Sequence, residues 1–316
     1  MKITHDIYTH TFQTLQVLDP SASARNLISK AANLGHTVLG ISNYMWDSSV
    51  PVNVRTLRGQ PEKYVLEIKH AIPADTQGVR VLIGAECDYC GLSDTLAITK
   101  KTAKLFDYVI VRHSHIKSEG LVVAEDAHTI EVRNALKQKL MAEMPDISEE
   151  LIVRMVDAVK RKDAVAIAAP KYDYCAKMAN FLHESLDSLI ANPHLAEVAA
   201  ETPTAVAQPL CPMGCTSDEM QRILDYLDLE RAARQLSALA ALGVGIVIDM
   251  SVFDTERAVD ESNKAFKLAR LAIEAGCRVM FGSNAYALSE LDRMRKAEQL
   301  ADRLGITEDK LSELVR

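Results

Sequence analysis

No stretch of this chain is apolar for anything near the ~20 residues that a membrane helix needs. The longest apolar runs, such as Gly243–Met250, are much shorter. The opening MKITHD lacks a secretory apolar core, so the expected location is the cytoplasm. Long runs of lysine and arginine are also missing. With a formal net charge of −7, this argues against nucleic acid or an anionic membrane surface as a partner. Six cysteines are too few for a disulfide scaffold in a chain of 316 residues. Cys87 and Cys90 form a CxxC, and Cys211 and Cys215 a looser CPMGC. Reduced, partly buried thiols are the simpler reading; structural zinc is the alternative, and the irregular second spacing weakens it. Cys175 and Cys277 carry no signal. Internal repeats, low-complexity tracts and interdomain linkers are absent, so one domain over 1–316 is expected.

What is present is enough apolar residue, 48%, to bury a large core beside 25% charged residues. Apolar, β-branched runs predict strands at Ile3–Phe12, His36–Ser42, Gly78–Ala85, Asp107–Val111, Thr204–Pro212, Gly243–Met250 and Cys277–Ser283. Between them lie helical spacings at Ala22–Leu34, Glu62–Ala71, Ser217–Leu242, Glu256–Ala275 and Leu288–Leu304, with a short last helix after Thr307. Met45–Pro61, which holds Trp46, reads as a loop over the strand ends. From about 121 to 201 the composition turns helical, best at Ile130–Ala142, Ser148–Lys160 and Cys175–Ala191, which predicts a helical insertion. Ala164–Pro170 is a further strand candidate. Strands alternating with helices imply a parallel α/β sheet, and periodicity leaves a closed barrel and an open doubly wound sheet both standing.

In parallel sheets the strands bury both faces, and ligands gather where their C-terminal ends emerge. Several of these strands stop in polar clusters. The first ends in DIYTHT at Asp6–Thr11, the second in Asn43-Tyr44 and the third in Glu86-Cys87-Asp88. The fourth, DYVIV, runs into Arg112-His113-Ser114-His115-Ile116-Lys117, and the last into Gly282-Ser283-Asn284-Ala285-Tyr286. In this order and placement they resemble the motifs of the PHP (polymerase and histidinol phosphatase) superfamily: D-x-H-x-H-T, T-D-H, G-x-E, a histidine after D-Y-V-I, A-H-P and G-S-D-A-H. The resemblance implies a distorted seven-stranded (β/α)7 TIM-like barrel that covers nearly the whole chain outside the insertion.

It also implies a site at the barrel mouth, where the family holds several divalent metals on histidines, an aspartate and a bridging glutamate to activate water against a phosphoester. Carried over residue by residue, His10, Glu86 and His115 remain as metal ligands, with Glu86 and His115 as the catalytic pair; the spacing favours His115 over His113. Tyr8, Tyr44, Gln208, Asn284 and Tyr286 stand where other ligands would be, and Ala169-Pro170 competes with Gln208 for the A-H-P position. Neutral phenol and amide groups are poor ligands for zinc, manganese or iron. The expectation is therefore no metal or a single divalent one. Arg112, Lys117, Lys171 and Asp249 are candidates for contact with a small ligand, and Tyr172 and Tyr174 for an aromatic lining. His5, His36, His70, His128, His183 and His194 read as solvated. Two functions follow from the resemblance: a PHP-type barrel that binds a small ligand, phosphorylated or not, with hydrolysis weakened or lost, or a metal-dependent phosphoester hydrolase with a reduced site.

Overall fold

The structure is a computed structural model that describes residues 1–14, 17, 19–51, 60–90, 94–113, 172–212, 217–253 and 262–316. Strands β1 (His5–Thr9), β2 (Val38–Tyr44), β3 (Arg80–Cys90), β5 (Tyr108–Arg112), β6 (Thr204–Ala207), β7 (Gly245–Asp249) and β8 (Val279–Gly282) follow one another round the sheet. All their pairings are parallel, and they make a nearly closed barrel of seven strands. The two-residue strand β4 (Thr95–Leu96) lies off this path and pairs antiparallel with the end of β3.

The ring closes between β8 and β1 through a few bonds in place of a full ladder. His10 N–H donates to the Ala285 carbonyl at 3.0 Å, and Ala285 N–H to the Tyr8 carbonyl at 3.3 Å. Side chains complete the seam: Phe281 N–H donates to His5 Nε2 at 3.0 Å and Ser283 N–H to Asp6 Oδ1 at 2.9 Å. Buried backbone donors must be paired, and here His5 and Asp6 supply acceptors that a neighbouring strand would otherwise provide.

Glycines in the strands set the barrel's interior. Tyr108 reaches inward from β5, and its hydroxyl donates to the Ile7 carbonyl at 2.6 Å. A Cβ on Gly84 or Gly40 would overlap the Tyr108 side chain, and one on Gly282 would overlap Tyr8. Directly paired residues share a face. The register Gly84↔Tyr108, Glu86↔Ile110, Asp88↔Arg112 and Tyr44↔Glu86 therefore turns Tyr44, Glu86, Asp88 and Arg112 into the barrel.

Outside the sheet, helix Ala24–Asn33 shows why the helical spacings fold as they do. The Ser23 side chain caps it by accepting from Asn26 N–H, and Leu27, Ile28 and Ala31 pack with Leu39, Val79, Ala285 and Leu291. Gly35, at φ 77°, ends it in the left-handed region. Helix Leu229–Ala241 is capped by Asp228 and helix Lys264–Glu274 by Asn263. Among the described residues no helix is long and apolar enough to cross a membrane.

Several predicted bounds move. β3 runs on to Cys90 because β4 pairs with Tyr89 and Cys90, so Glu86 and Asp88 lie within a strand instead of after it. β6 stops at Ala207, since Gln208 and Leu210 have positive φ, 46° and 66°. Glu62–Ala71 is two short helices, Glu62–Leu66 and Ile68–Ala71, and Leu288–Lys296 is a 3-10 helix that leads into the α-helix Ala297–Leu304. The helical candidate Cys175–Ala191 lies within a helix Tyr172–Ala191. Ile130–Ala142, Ser148–Lys160 and Ala164–Pro170 lie outside the described residues.

Candidate functional site at the barrel mouth

Glu86 stands at the centre of the strand ends, fully buried. Its Oε1 accepts from the Tyr8 hydroxyl and from Arg112 Nη1, the latter at 3.0 Å, and its Oε2 faces His10 Nε2 at 2.9 Å. One layer further out, Asp88 Oδ1 accepts from Arg112 Nε at 3.0 Å and Asp88 Oδ2 from the Tyr44 hydroxyl at 2.5 Å. The Arg112 guanidinium lies over the Tyr44 ring, 4.7 Å from its centroid, a cation–π contact. The Tyr286 ring stacks on His10 with centroids 4.3 Å apart and planes 11° from parallel.

The electrostatics follow from this packing. Burial by itself would keep Glu86 protonated, but Arg112, then His10 and the hydrogen bonds from His10 and Tyr8, hold its carboxyl down at about 2. Burial raises the phenols of Tyr8, Tyr44 and Tyr286, and the nearby carboxylates add to it, so all three are neutral donors. His10 Nδ1 faces the Ala285 carbonyl at 3.0 Å, so both ring nitrogens point at acceptors. The ring is thus engaged on both sides within the barrel.

A second polar pair sits beside this cluster. Asn284, just past β8 at φ 49°, donates from Nδ2 to Asp249 Oδ2 at 2.7 Å, while Ser251 N–H donates to Asp249 Oδ1 at 2.7 Å. Burial lifts both Asp249 and Asp6 to about 6. Among the described residues, the buried Asn284 Oδ1 and Asp6 Oδ2 meet no hydrogen-bond partner. Arg293 fixes this turn by donating from Nη1 to the Ser283 and Asn284 carbonyls at 3.1 and 3.2 Å.

The structure thus brings together Tyr8, His10, Tyr44, Glu86, Arg112 and Tyr286, with Asp249 and Asn284 as a neighbouring pair. Gln208, at the end of β6, lines with Asp249 a small cavity under helix Lys264–Glu274. His115, Lys117, Lys171, His128 and Cys215 lie outside the described residues, as do the side chains of Tyr172 and Tyr174. His5, His36 and His183 are buried, against the expectation that they are solvated, because each serves the packing of the barrel or its helices. His183, for example, meets Gln235 at 2.7 Å. His70 and His194 are exposed as expected. His113 is buried, and its Nε2 accepts from Leu210 N–H at 3.5 Å. Asp88 was missed as a site residue, although its spacing from Glu86 on a strand places both on one face.

Do these residues fit a divalent metal cluster? Among the described residues no group of three or more His, Cys, Asp or Glu is placed to hold one. The oxygens of Glu86 and Asp88 already accept from protein donors. The described donor set does not suit the family's metals.

No family model matches the chain, and no curated protein matches it in sequence. Solved structures do match it. The histidinol phosphate phosphatase of Lactococcus lactis subsp. lactis Il1403, determined with zinc, L-histidinol and phosphate, is similar at a TM-score of 0.51 and 13% identity, over 96% of this chain and 94% of that one. A putative histidinol phosphatase of Listeria monocytogenes is similar at a TM-score of 0.53 and 12% identity, over 93% of this chain and 99% of that one. At such identities the likeness is one of fold, and it agrees with the order of the strand-end motifs. The chain has the barrel fold of these two histidinol phosphatase structures.

Proposed function

We propose that this protein is a divergent PHP relative, one domain with a helical insertion at about 121–201, whose barrel mouth binds a small ligand while metal-dependent phosphoester hydrolysis is weakened or lost. One observation carries the reading: Glu86, the acid that would bridge metals, is engaged by Tyr8, His10 and Arg112. An acid held this way has little left to offer an ion or a metal-bound water. The replaced ligand positions at Tyr8, Tyr44, Gln208, Asn284 and Tyr286 point the same way. A phosphorylated ligand is the class the fold favours, since a solved relative of the same fold was determined with L-histidinol and phosphate.

A reduced one-metal hydrolase is the second reading, and the contact of His10 with Glu86 at 2.9 Å favours it, since both residues are ligands in the resemblance. Protein purified without chelators and assayed on histidinol phosphate and a generic aryl phosphate, with added zinc, manganese or iron, separates the two. The first reading expects turnover at the level of a Glu86→Gln variant under every metal. Metal-stimulated turnover that Glu86→Gln abolishes would establish the hydrolase instead. Ligand binding is tested separately, by thermal shift with small phosphate esters; a mouth that responds to none of them refutes the phosphorylated class.

A further inference from the structure

Among the described residues, Glu86, Asp88 and Arg112 form a connected group of buried charges at the strand ends. Glu86 and Asp88 lie two residues apart on β3 and face inward together. In metal enzymes, two such carboxylates are typical ligands of a shared cation. Here Arg112 occupies that place, its Nη1 on Glu86 and its Nε on Asp88, each at 3.0 Å. It comes from the register partner of Asp88 on the adjacent strand, so the backbone itself delivers it.

We propose that Arg112 is the built-in cation of this barrel: its guanidinium bridges Glu86 and Asp88 in the way a divalent ion would, and thereby keeps the mouth from taking up a metal. The proposal deepens the functional reading above and rests on it. It also predicts something that reading does not: a latent metal site that the arginine hides.

Every carboxylate oxygen in the set already has a donor. Glu86 Oε1 has Tyr8 and Arg112, Glu86 Oε2 has His10, Asp88 Oδ1 has Arg112, and Asp88 Oδ2 has Tyr44. A metal that bound here would have to share these oxygens with the protein donors already on them. Arg112 already sets a buried cation against Glu86 and Asp88, so a divalent ion added beside it would crowd further positive charge into the same buried space. The Tyr44 ring under the guanidinium favours a large, weakly hydrated planar cation over a compact ion. An arginine that only filled space would need neither carboxylate.

The test compares the full chain with Arg112→Ser and Arg112→Lys by calorimetric titration with zinc and with manganese, and by thermal unfolding with and without EDTA. The parent should show no shift in unfolding temperature with either metal or with EDTA. Arg112→Ser should bind one equivalent at least about tenfold more tightly than the parent, and adding Asp88→Asn should remove that gain. Arg112→Lys keeps the charge and should not gain it. Parent protein that binds a metal, with the binding lost in Glu86→Gln, overturns the proposal. So does a folded Arg112→Ser that binds no better than the parent. Should Arg112→Ser fail to fold alone, refolding with zinc or manganese takes its place: recovery supports the proposal, and failure while Arg112→Lys folds refutes it. The phosphoester assay on the parent decides the functional reading independently, because it does not involve the Arg112 variants.

Discussion

Arg112 Nη1 lies 3.0 Å from Glu86 Oε1, and both side chains are almost without solvent contact, at 2% and 0% exposure. In water such a pair would contribute little. Inside the barrel, its worth lies in what happens when one partner is removed.

Arg112→Met is expected to destabilise the protein by about 3–5 kcal/mol, because it leaves Glu86 and Asp88 buried without their cation. Adding Glu86→Gln should recover part of that loss, since the amide needs no counter-charge. Chemical denaturation of the two single variants and the double variant measures the coupling. Additive losses would mean that the two groups do not interact in solution as they do in the structure.

The interior glycines give a purely steric prediction. Gly84→Ala should cost about 1–3 kcal/mol or more, because the new methyl meets the Tyr108 ring in a closed interior. Tyr108→Leu, which withdraws that ring, should make Gly84→Ala much less costly, although it removes the hydroxyl's bond to the Ile7 carbonyl. Gly282→Ala should also be destabilising, but there the methyl meets the Cβ and backbone of Tyr8, so shortening the Tyr8 side chain should not relieve it. Denaturation midpoints decide it: if Gly84→Ala costs the same in the Tyr108→Leu background as in the parent, the ring does not lie across the glycine.

The strands were legible in the sequence because each parallel strand is buried on both faces and so reads as an apolar run. Glu86 was legible because the apolar run Gly78–Ala85 ends at it and because it matches the G-x-E motif of the resemblance. The partnership of Asp88 with Arg112 was not, since it depends on the β3–β5 register, and a strand pattern carries no register. β4 is too short to leave a pattern, and without it the length of β3 was underestimated. Gly40 and Gly84 did leave a signal: glycine inside a strand marks a close approach, and Tyr108 is what approaches.

Stability should depend on pH through buried histidines. Burial lowers His36 to about 4, and burial with the His36 charge lowers His5 to about 3; burial with the His183 charge does the same for His113. Their ordinary value is 6.5, so below it the unfolded chain binds protons that the native state refuses. The stability these groups contribute is whole above pH 6.5 and is lost as pH falls through about 4 and 3. Asp6 and Asp249, raised from 3.8 to about 6, act in the opposite sense: their contribution is whole below 3.8 and is lost as pH rises through 6. His36→Gln should therefore flatten the acid slope by about one proton, ~1.4 kcal/mol per pH unit, over the window between the two His36 values. Unfolding free energies at a series of pH values test this, and superimposable slopes for parent and variant would place His36 in solvent.

The pair Asn284–Asp249 carries the last prediction, and it concerns a position where the resemblance expects an aspartate. Asn284 donates from Nδ2 to Asp249 Oδ2 at 2.7 Å, so Asn284→Asp would set two carboxyl groups against each other in a buried turn. Burial already holds Asp249 at about 6, and a second carboxylate at hydrogen-bonding distance raises the pair further, because both cannot ionise cheaply. The variant should lose about 1–3 kcal/mol at pH 7, where a hydrogen bond becomes a repulsion. It should regain stability relative to the parent as pH falls, since raised carboxyl groups contribute on the acid side. Thermal unfolding of both proteins at pH 7 and pH 5 measures the difference. A variant as stable as the parent at pH 7, with no relative gain at pH 5, would show that the amide does not face Asp249. Added divalent metal provides the second comparison: with Arg112 in place it should not rescue the variant, because restoring one family aspartate does not empty the position that the guanidinium fills.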